Sequence, residues 1–238
     1  MMYKHLNWDS IFFGFPTARI DGDFIKPGIL EKILNQLILK NYKLVYLFTN
    51  SSNLEIIKYI QKLEGKLVDE KITFRLQLTS FRNVQNDDNI ISYQIQEPNK
   101  ELNELAIESG KYSRFRIDNG FSKGIYEKLY TQWITNSTLR LNADEVFVYQ
   151  IGNKIKGMIT LSEKQQSVSI GLFAVAQDSQ GLGIGHKLVN RTIHYCQAKG
   201  IENLEVVTQN TNKIACDFYK KIGFKILNIK NVYHFWLK

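Results

Sequence analysis

The sequence predicts an α/β fold of the α+β type: a mixed, largely antiparallel sheet flanked by helices, preceded by a small N-terminal α/β domain. Three observations carry that expectation. Residues 145–175 read as three successive strands with no helical pattern between them, and the rest of the chain then alternates helix and strand. Residues 28–78 form a helix–strand–helix–strand run of their own.

Taken in order, Ile29, Leu30, Ile33, Leu34, Leu37 and Ile38 recur at helical spacing between Gly28 and Lys40. The run LVYLFT at Leu44–Thr49 reads as a buried strand, and 53–63 as a helix with Ile56, Ile57 and Ile60 on one face. Alternation in ITFRLQL marks a strand at Ile72–Leu78. The stretch from Arg82 to Lys100 is rich in Asn, Gln and Asp, so the boundary is expected near residue 85, giving domains 1–85 and 86–238. Beyond it the pattern predicts helices at 100–109 and 122–136, then strands at 145–150, 154–162 and 167–175. A helix at 183–199, a strand at 204–208, a helix at 211–222 and strands at 225–229 and 232–237 complete the chain.

A shift of 159 residues lays 44–71 over 203–230 with strands and helices in phase. Thr49 falls on Thr208, Asn53 on Asn212, Lys62 on Lys221, Lys66 on Lys225 and Lys71 on Lys230. Chance similarity accounts for this equally well. If the repeat is real, its first copy lacks the glycine-rich turn and has Ile60 where the second has Tyr219.

The 238 residues carry 31 Lys and Arg against 23 Asp and Glu, a formal charge of +8. Such a field favours anionic ligands. Basic residues never run more than two together, which argues against a nucleic-acid partner. Apolar stretches such as Leu172–Ala176 fall far short of the ~18 residues of a membrane span. Residues 1–10 lack the apolar core of a secretory signal, and Cys196 and Cys216 are too few for a disulfide framework. The expectation is a cytoplasmic protein without a membrane partner.

Most of the chemistry lies in residues 167–189, SVSIGLFAVAQDSQGLGIGHKLV. A strand leads through Gln180-Gly181-Leu182-Gly183-Ile184-Gly185 straight into an amphipathic helix. Glycines at such a junction let backbone approach a ligand, and free N–H groups of the first helical turn face an anion. A P-loop would need Lys then Ser or Thr after the last glycine, and His186 stands there. A Rossmann fingerprint would need glycine at position 186. His186 and His194 have no acidic partner at ligand spacing, so no metal site is expected.

Gln180, Gly183 and Gly185 after a strand match Gln-x-x-Gly-x-Gly, and the segment resembles the pyrophosphate signature of the Gcn5-related N-acetyltransferases (GNATs). The likeness extends over residues ~90–238 in the order of strands and helices. It implies acetyl-CoA as cosubstrate, lying between the strands at 167–175 and 204–208. Main-chain groups around Phe173, Ala174 and Val175 would hold the pantetheine amides, one N–H polarising the thioester carbonyl. Gln180 and the amides of Gly181, Gly183, Ile184 and Gly185 would take the pyrophosphate. Asn212 and Tyr219, two helical turns apart, would face the pantetheine and the sulfur, with Ile214, Phe218 and Ile222 on the core side. A tyrosine suits protonation of a departing thiolate, although plain packing also explains it.

The loop Lys111-Tyr112-Ser113-Arg114-Phe115-Arg116-Ile117-Asp118 holds two of only seven arginines. Guanidinium forks suit a diphosphate and aromatic rings a base, while an ordinary solvated loop is the plainer alternative. YSRFRID, the YxxWIxNS run at 130–137, ADEV at 143–146 and LNWDSIFFG at 6–14 resemble the dTDP-fucosamine N-acetyltransferase group. That resemblance implies a nucleotide-diphosphate amino sugar as acceptor, surface-polysaccharide synthesis, and a homodimer. Tyr112, Arg114, Trp8 and Phe13 are then candidate acceptor residues; Trp8, Phe12 and Phe13 serve equally well as core.

Overall fold

The computed structural model describes residues 3–79 and 87–238, and the chain divides into two compact units. One joins Met1–Ile72, Gln209–Thr211 and Asn228–Lys238; the other joins Thr73–Thr208 and Asn212–Leu227. The division expected near residue 85 lies outside the described residues. Within them the units part between Ile72 and Thr73, inside a strand, and the C-terminal segment belongs to the first unit.

The first unit begins with β1 (Lys4–His5), α1 (Asn7–Phe13) and β2 (Thr17–Asp21), none of which the apolar pattern announced. It continues through α2 (Pro27–Leu39), β3 (Leu44–Asn50), α3 (Leu54–Lys62) and β4 (Lys66–Gln77). β4 starts six residues before its predicted start, because Val68 and Asp69 are already buried. One apolar cluster gathers Leu30, Ile33 and Leu37 of α2, Ile56 and Ile60 of α3, and Ala18, Ile20, Val45 and Leu47 of the strands.

The second unit contains β5 (Ile90–Ser92), α4 (Lys100–Ser109), the short α5 (Arg114–Ile117) and α6 (Ile125–Thr138). An antiparallel run follows: β6 (Glu145–Ile151), β7 (Lys154–Lys164) and β8 (Ser167–Val175). Then come α7 (Ile184–Ala198), β9 (Asn203–Gln209), parallel to β8, and α8 (Lys213–Ile222). β10 (Lys225–Trp236) is one continuous strand where two were predicted. Five consecutive buried residues in β7 show a strand covered on both faces, by α4 and by α7. Among the described residues no helix is long and apolar enough to cross a membrane.

The repeat is structural. Shifted by 159 residues, the bounds of β3 coincide with those of β9, and those of β4 with those of β10. Helices α3 and α8 start in register, capped by Asn53 on the Ile56 N–H and Asn212 on the Ala215 N–H. Each closes on a left-handed residue at matching positions, Glu64 (φ 60°) and Gly223 (φ 106°). The third strand of each copy is exchanged, however. β10 pairs antiparallel with β3 in the first unit, from Lys230↔Asn50 to Trp236↔Leu44. The Thr73–Gln77 half of β4 lies in the second unit beside β9, where Leu78 N–H donates to Glu202 O.

The copies differ where their parallel strands meet. β2 pairs with β3 along its whole length, Thr17↔Leu44 to Asp21↔Phe48. β8 pairs with β9 only from Ser167↔Asn203 to Ile170↔Val206, then runs on to Val175 beside β7 alone. A β-bulge marks the parting: register passes from Ile159↔Phe173 to Leu161↔Ile170, so Gly171 and Leu172 together oppose Thr160. Thr160 Oγ1 accepts the Leu172 N–H at 2.8 Å, and a Cβ on Gly171 would stand 2.7 Å from that oxygen. Replacing Thr160 by Val keeps the shape but orphans a buried N–H, so Thr160→Val should lower stability by about 1–3 kcal/mol in urea unfolding. A change within experimental error would show that the hydroxyl does not hold the bulge.

Candidate active site

Past the bulge, β8 presents a free edge. Ala176 N–H donates to Lys156 O, which makes Ala176/Lys156 and Ala174/Met158 the hydrogen-bonded pairs with β7. The main-chain groups of Phe173 and Val175 therefore point the other way, into the gap between β8 and β9. Those of Ala174 are turned to β7, so of the three residues expected to offer main-chain groups Ala174 offers none. The Val175 carbonyl accepts from Gln180 Nε2 at 3.2 Å, which makes Gln180 a tie between the turn and the strand.

The glycines serve two purposes. Gly181 (φ 81°) and Gly183 (φ 77°) take left-handed backbone that other residues adopt only under strain, and open space lies where their Cβ atoms would be. Gly185 is needed for packing, since its Cβ would lie 3.2 Å from the Phe218 ring. Gly183 is the N-cap of α7 and offers no side chain, so the first amides of the helix lack an internal acceptor. Ile184 is buried, its side chain reaching Gly157 of β7. The nearby Asp178 is paired with Lys156 at 2.6 Å, and that hydrogen bond, with one from Ser179, holds its carboxyl below the usual range. The amides thus do not face a bare carboxylate.

Tyr219 is buried in an aromatic cage: Phe74 of β4, Phe173 of β8, Phe218 and Phe224 lie 5.4–6.4 Å away, ring centre to ring centre. Of the predicted core side of α8, Phe218 and Ile222 are half-buried, Phe218 against Phe173 and Gly185, but Ile214 is not. Ile214 is 72% exposed, and Cys216 and Tyr219 are its buried residues, because the helix settles on Phe74 and Phe173 rather than on its aliphatic stripe. Asn212 spends its Oδ1 on the cap of α8, leaving its amide nitrogen to face a ligand. Burial pushes the Tyr219 phenol well above its ordinary value, so it stays protonated. Burial likewise pushes the Cys196 thiol to about 12 and raises that of Cys216, which removes both as nucleophiles at neutral pH.

Tyr112 and Arg114 flank Ser113, the N-cap of α5, whose hydroxyl accepts the Phe115 N–H at 3.3 Å. The Arg114 guanidinium lies over the Phe115 ring at 4.3 Å, and Lys111 Nζ stands 5.6 Å from the Tyr112 ring. Trp8 and Phe13 belong to the other unit. They do not join its core: α1 has no buried residue, Trp8 is half exposed, and the rings chain Trp8–Phe12–Phe13–Phe15–Trp236 at 4.9–5.8 Å. Among the described residues no three His, Cys, Asp or Glu gather as a metal site would require. Sequence reasoning missed Phe74 and the Thr160–Gly171 contact. Alternation in ITFRLQL placed Phe74 on a strand, but only the exchange of β4 brings it to Tyr219.

Residues 111–224 match the model of the acetyltransferase (GNAT) family. The chain is 30% identical over 132 residues to an uncharacterized N-acetyltransferase of Methanocaldococcus jannaschii, covering 52% of this chain and 57% of that protein. It is 32% identical over 74 residues to N-alpha-acetyltransferase 50 of Danio rerio, covering 31% and 44%. The matches thus span about half the length of these curated relatives. A tandem GNAT protein from the clavulanic acid biosynthesis pathway superposes with a TM-score of 0.59 at 11% identity, over 93% of this chain and 75% of that one. The fold is the GNAT fold.

An unfolded chain ionises the Tyr219 phenol near pH 10, whereas the folded chain resists. Stability from this residue is therefore intact below pH 10 and falls as pH rises above it. In absorbance titration, Tyr219→Phe should leave the curve unchanged up to pH 10.5. Loss of one phenol titrating near 10 would mean that water reaches the hydroxyl.

Proposed function

From the match of residues 111–224 to the acetyltransferase (GNAT) family, we propose that the chain moves an acetyl group from acetyl-CoA to a primary amine. The observation that carries this reading is the parting of β8 from β9, followed directly by a turn whose amides open α7 uncapped. The residues fit the coenzyme: extended backbone with unspent amides suits the pantetheine, and N–H groups at a helix start suit two linked phosphates. When bound, acetyl-CoA supplies an acetyl group activated as a thioester.

On this reading the Phe173 and Val175 N–H groups and the Phe173 carbonyl bind the pantetheine amides, and one N–H polarises the acetyl carbonyl. Amides of Gly181, Gly183, Ile184 and Gly185 take the pyrophosphate, and Asn212 contributes Nδ2. Tyr219 is the proton donor to the leaving sulfur. Its burial keeps the phenol protonated when the thiolate leaves, and also makes it a weaker acid than a free tyrosine.

The acceptor we infer is the amine of a nucleotide-linked amino-deoxy sugar, of the dTDP-4-amino-4,6-dideoxyhexose kind. Support comes from the 112–114 segment, where an arginine fork for a diphosphate and a ring for a base lie two residues apart. The likeness to N-alpha-acetyltransferase 50 favours a second acceptor class, a protein N-terminus.

CoA release from acetyl-CoA against a panel of nucleotide-linked amino sugars and short peptides separates these acceptors. Tyr219→Phe should lower kcat by about 10²-fold at unchanged coenzyme affinity; a loss below threefold removes the residue from the chemistry. Arg114→Ala should raise the KM of the sugar nucleotide by roughly tenfold, a lost charge-assisted contact, while that of acetyl-CoA holds. Equal rises in both would reject an acceptor role.

A further inference from the structure

Charged residues make up 23% of the chain, yet none stands between 89 and 96 or between 129 and 139. The first of these segments holds β5 and the turn that leaves it, and the second holds most of α6 with its C-cap. Side-chain bonds fasten the two together. Thr138 Oγ1 donates to Gln96 O at 2.6 Å, and Arg140 Nη2 donates to Tyr93 O at 3.1 Å. Arg140 also pairs with Glu145 at 2.9 Å, so the cation at this joint is neutralised within the chain.

Apolar side chains stand out from this neutral surface. Ile95 is 63% and Leu141 72% exposed, and Ile91 and Leu139 are each more than two-fifths exposed. Ile91 opposes Val148, which opposes Met158, whereas the neighbouring Gly157 faces α7. Alternation therefore puts Ile91 on the α4 side of the sheet, where α6 packs on α4. The edge itself is also open. β5 ends the strand order, with β6 its neighbour on one side alone. Gln150 N–H donates to Asn89 O and Tyr93 N–H to Val146 O, both at 2.8 Å, so the main-chain groups of Ser92 point away from β6. Neither lysine nor proline guards β5, whereas β1, at the other end of the order, carries Lys4.

We propose that this surface, the outer edge of β5 with the C-terminal end of α6, docks a second copy of the chain. Apolar residues gathered on an exposed surface mark a place that a partner covers. Charge decides which partner. A chain of formal charge +8 repels its own copy, and a two-fold axis sets every charge near it beside its equal. Two copies thus meet with least repulsion where charge is missing, and the same surface offers no ion pair to an acidic or basic protein. Antiparallel approach brings the Ser92 main-chain groups of the two copies together and continues the sheet, while Ile95, Leu139 and Leu141 leave water. The surface contains none of the residues assigned above to coenzyme or acceptor, so association is read independently of turnover.

Sedimentation equilibrium of the full chain at micromolar concentration should give twice the 27.7 kDa of one copy. Leu141→Glu and Ile95→Glu, both at exposed positions, should each raise the dissociation constant about tenfold or more, by setting like charges across the axis. Ile11→Glu, at a residue 84% exposed in the other unit, should change it by less than about twofold. Added NaCl should leave the dimer intact or tighten it, because the charges it screens repel. A chain that sediments as a monomer overturns the proposal. So does a dimer that both glutamate variants leave intact, one that Ile11→Glu weakens as strongly, or one that salt loosens.

Discussion

The second unit depends on one local irregularity, the bulge at Gly171 and Leu172. Parallel strands normally stay paired because every unspent N–H and C=O in a buried sheet is costly. Here the Thr160 hydroxyl takes the Leu172 N–H, and Gly171 gives that oxygen room, so β8 bends at the cost of a side-chain bond instead of an empty one. From that point β8 keeps β7 as a neighbour and leaves β9 behind. The freed edge is polar backbone, which ligand amides satisfy as well as a strand would.

The first copy of the repeat shows what the same elements do without that bend. β2 and β3 pair to the end of β2, and no glycine turn follows. Asp23 stands beyond the strand, its carboxylate accepting the Asn50 N–H, the Thr49 hydroxyl and Lys230 Nζ. An internal anion thus satisfies donors at a position where the second copy presents amides outward. The third strand of the first copy carries Phe74 to the cage of Tyr219 and Arg75 to Glu205.

Legibility in the sequence followed physical range. Strands buried on both faces and helices with a strong apolar stripe announced themselves, and the ends of α4 and β8 agree with the pattern to the residue. The glycine turn was readable because left-handed backbone and a crowded helix start leave few other residues possible. The N-terminal β1, α1 and β2 were not, since α1 buries nothing and the two strands together span seven residues. Ile214 of α8 was misplaced for a related reason: aliphatic spacing put it on the core side with Phe218 and Ile222, but the neighbours that decide the matter, Phe74 and Phe173, come from strands far away in sequence. The exchange of β4 and β10 was invisible for the same cause, because each strand carries an equally good pattern for either partner.

The sheet itself separates the buried phenol of Tyr219 from the ion pair of Arg75 and Glu205. On the acetyl-transfer reading, proton donation to sulfur calls for a group still protonated when the thiolate forms, and burial among Phe74, Phe173, Phe218 and Phe224 keeps the Tyr219 phenol neutral until then. Alternation along β4 and β9 turns charge away from that cage: Phe74 and Arg75 are neighbours in sequence and face opposite sides, as do Val206 and Glu205, so the Arg75–Glu205 pair lies across the sheet from the phenol. On the acetyl-transfer reading, the opening between β8 and β9 is where the thioester lies, within reach of the phenol. The bulge fixes where that opening begins: β8 and β9 pair as far as Ile170↔Val206, and Gly171 and Leu172 follow directly, so the free edge starts level with Phe173, whose ring borders Tyr219.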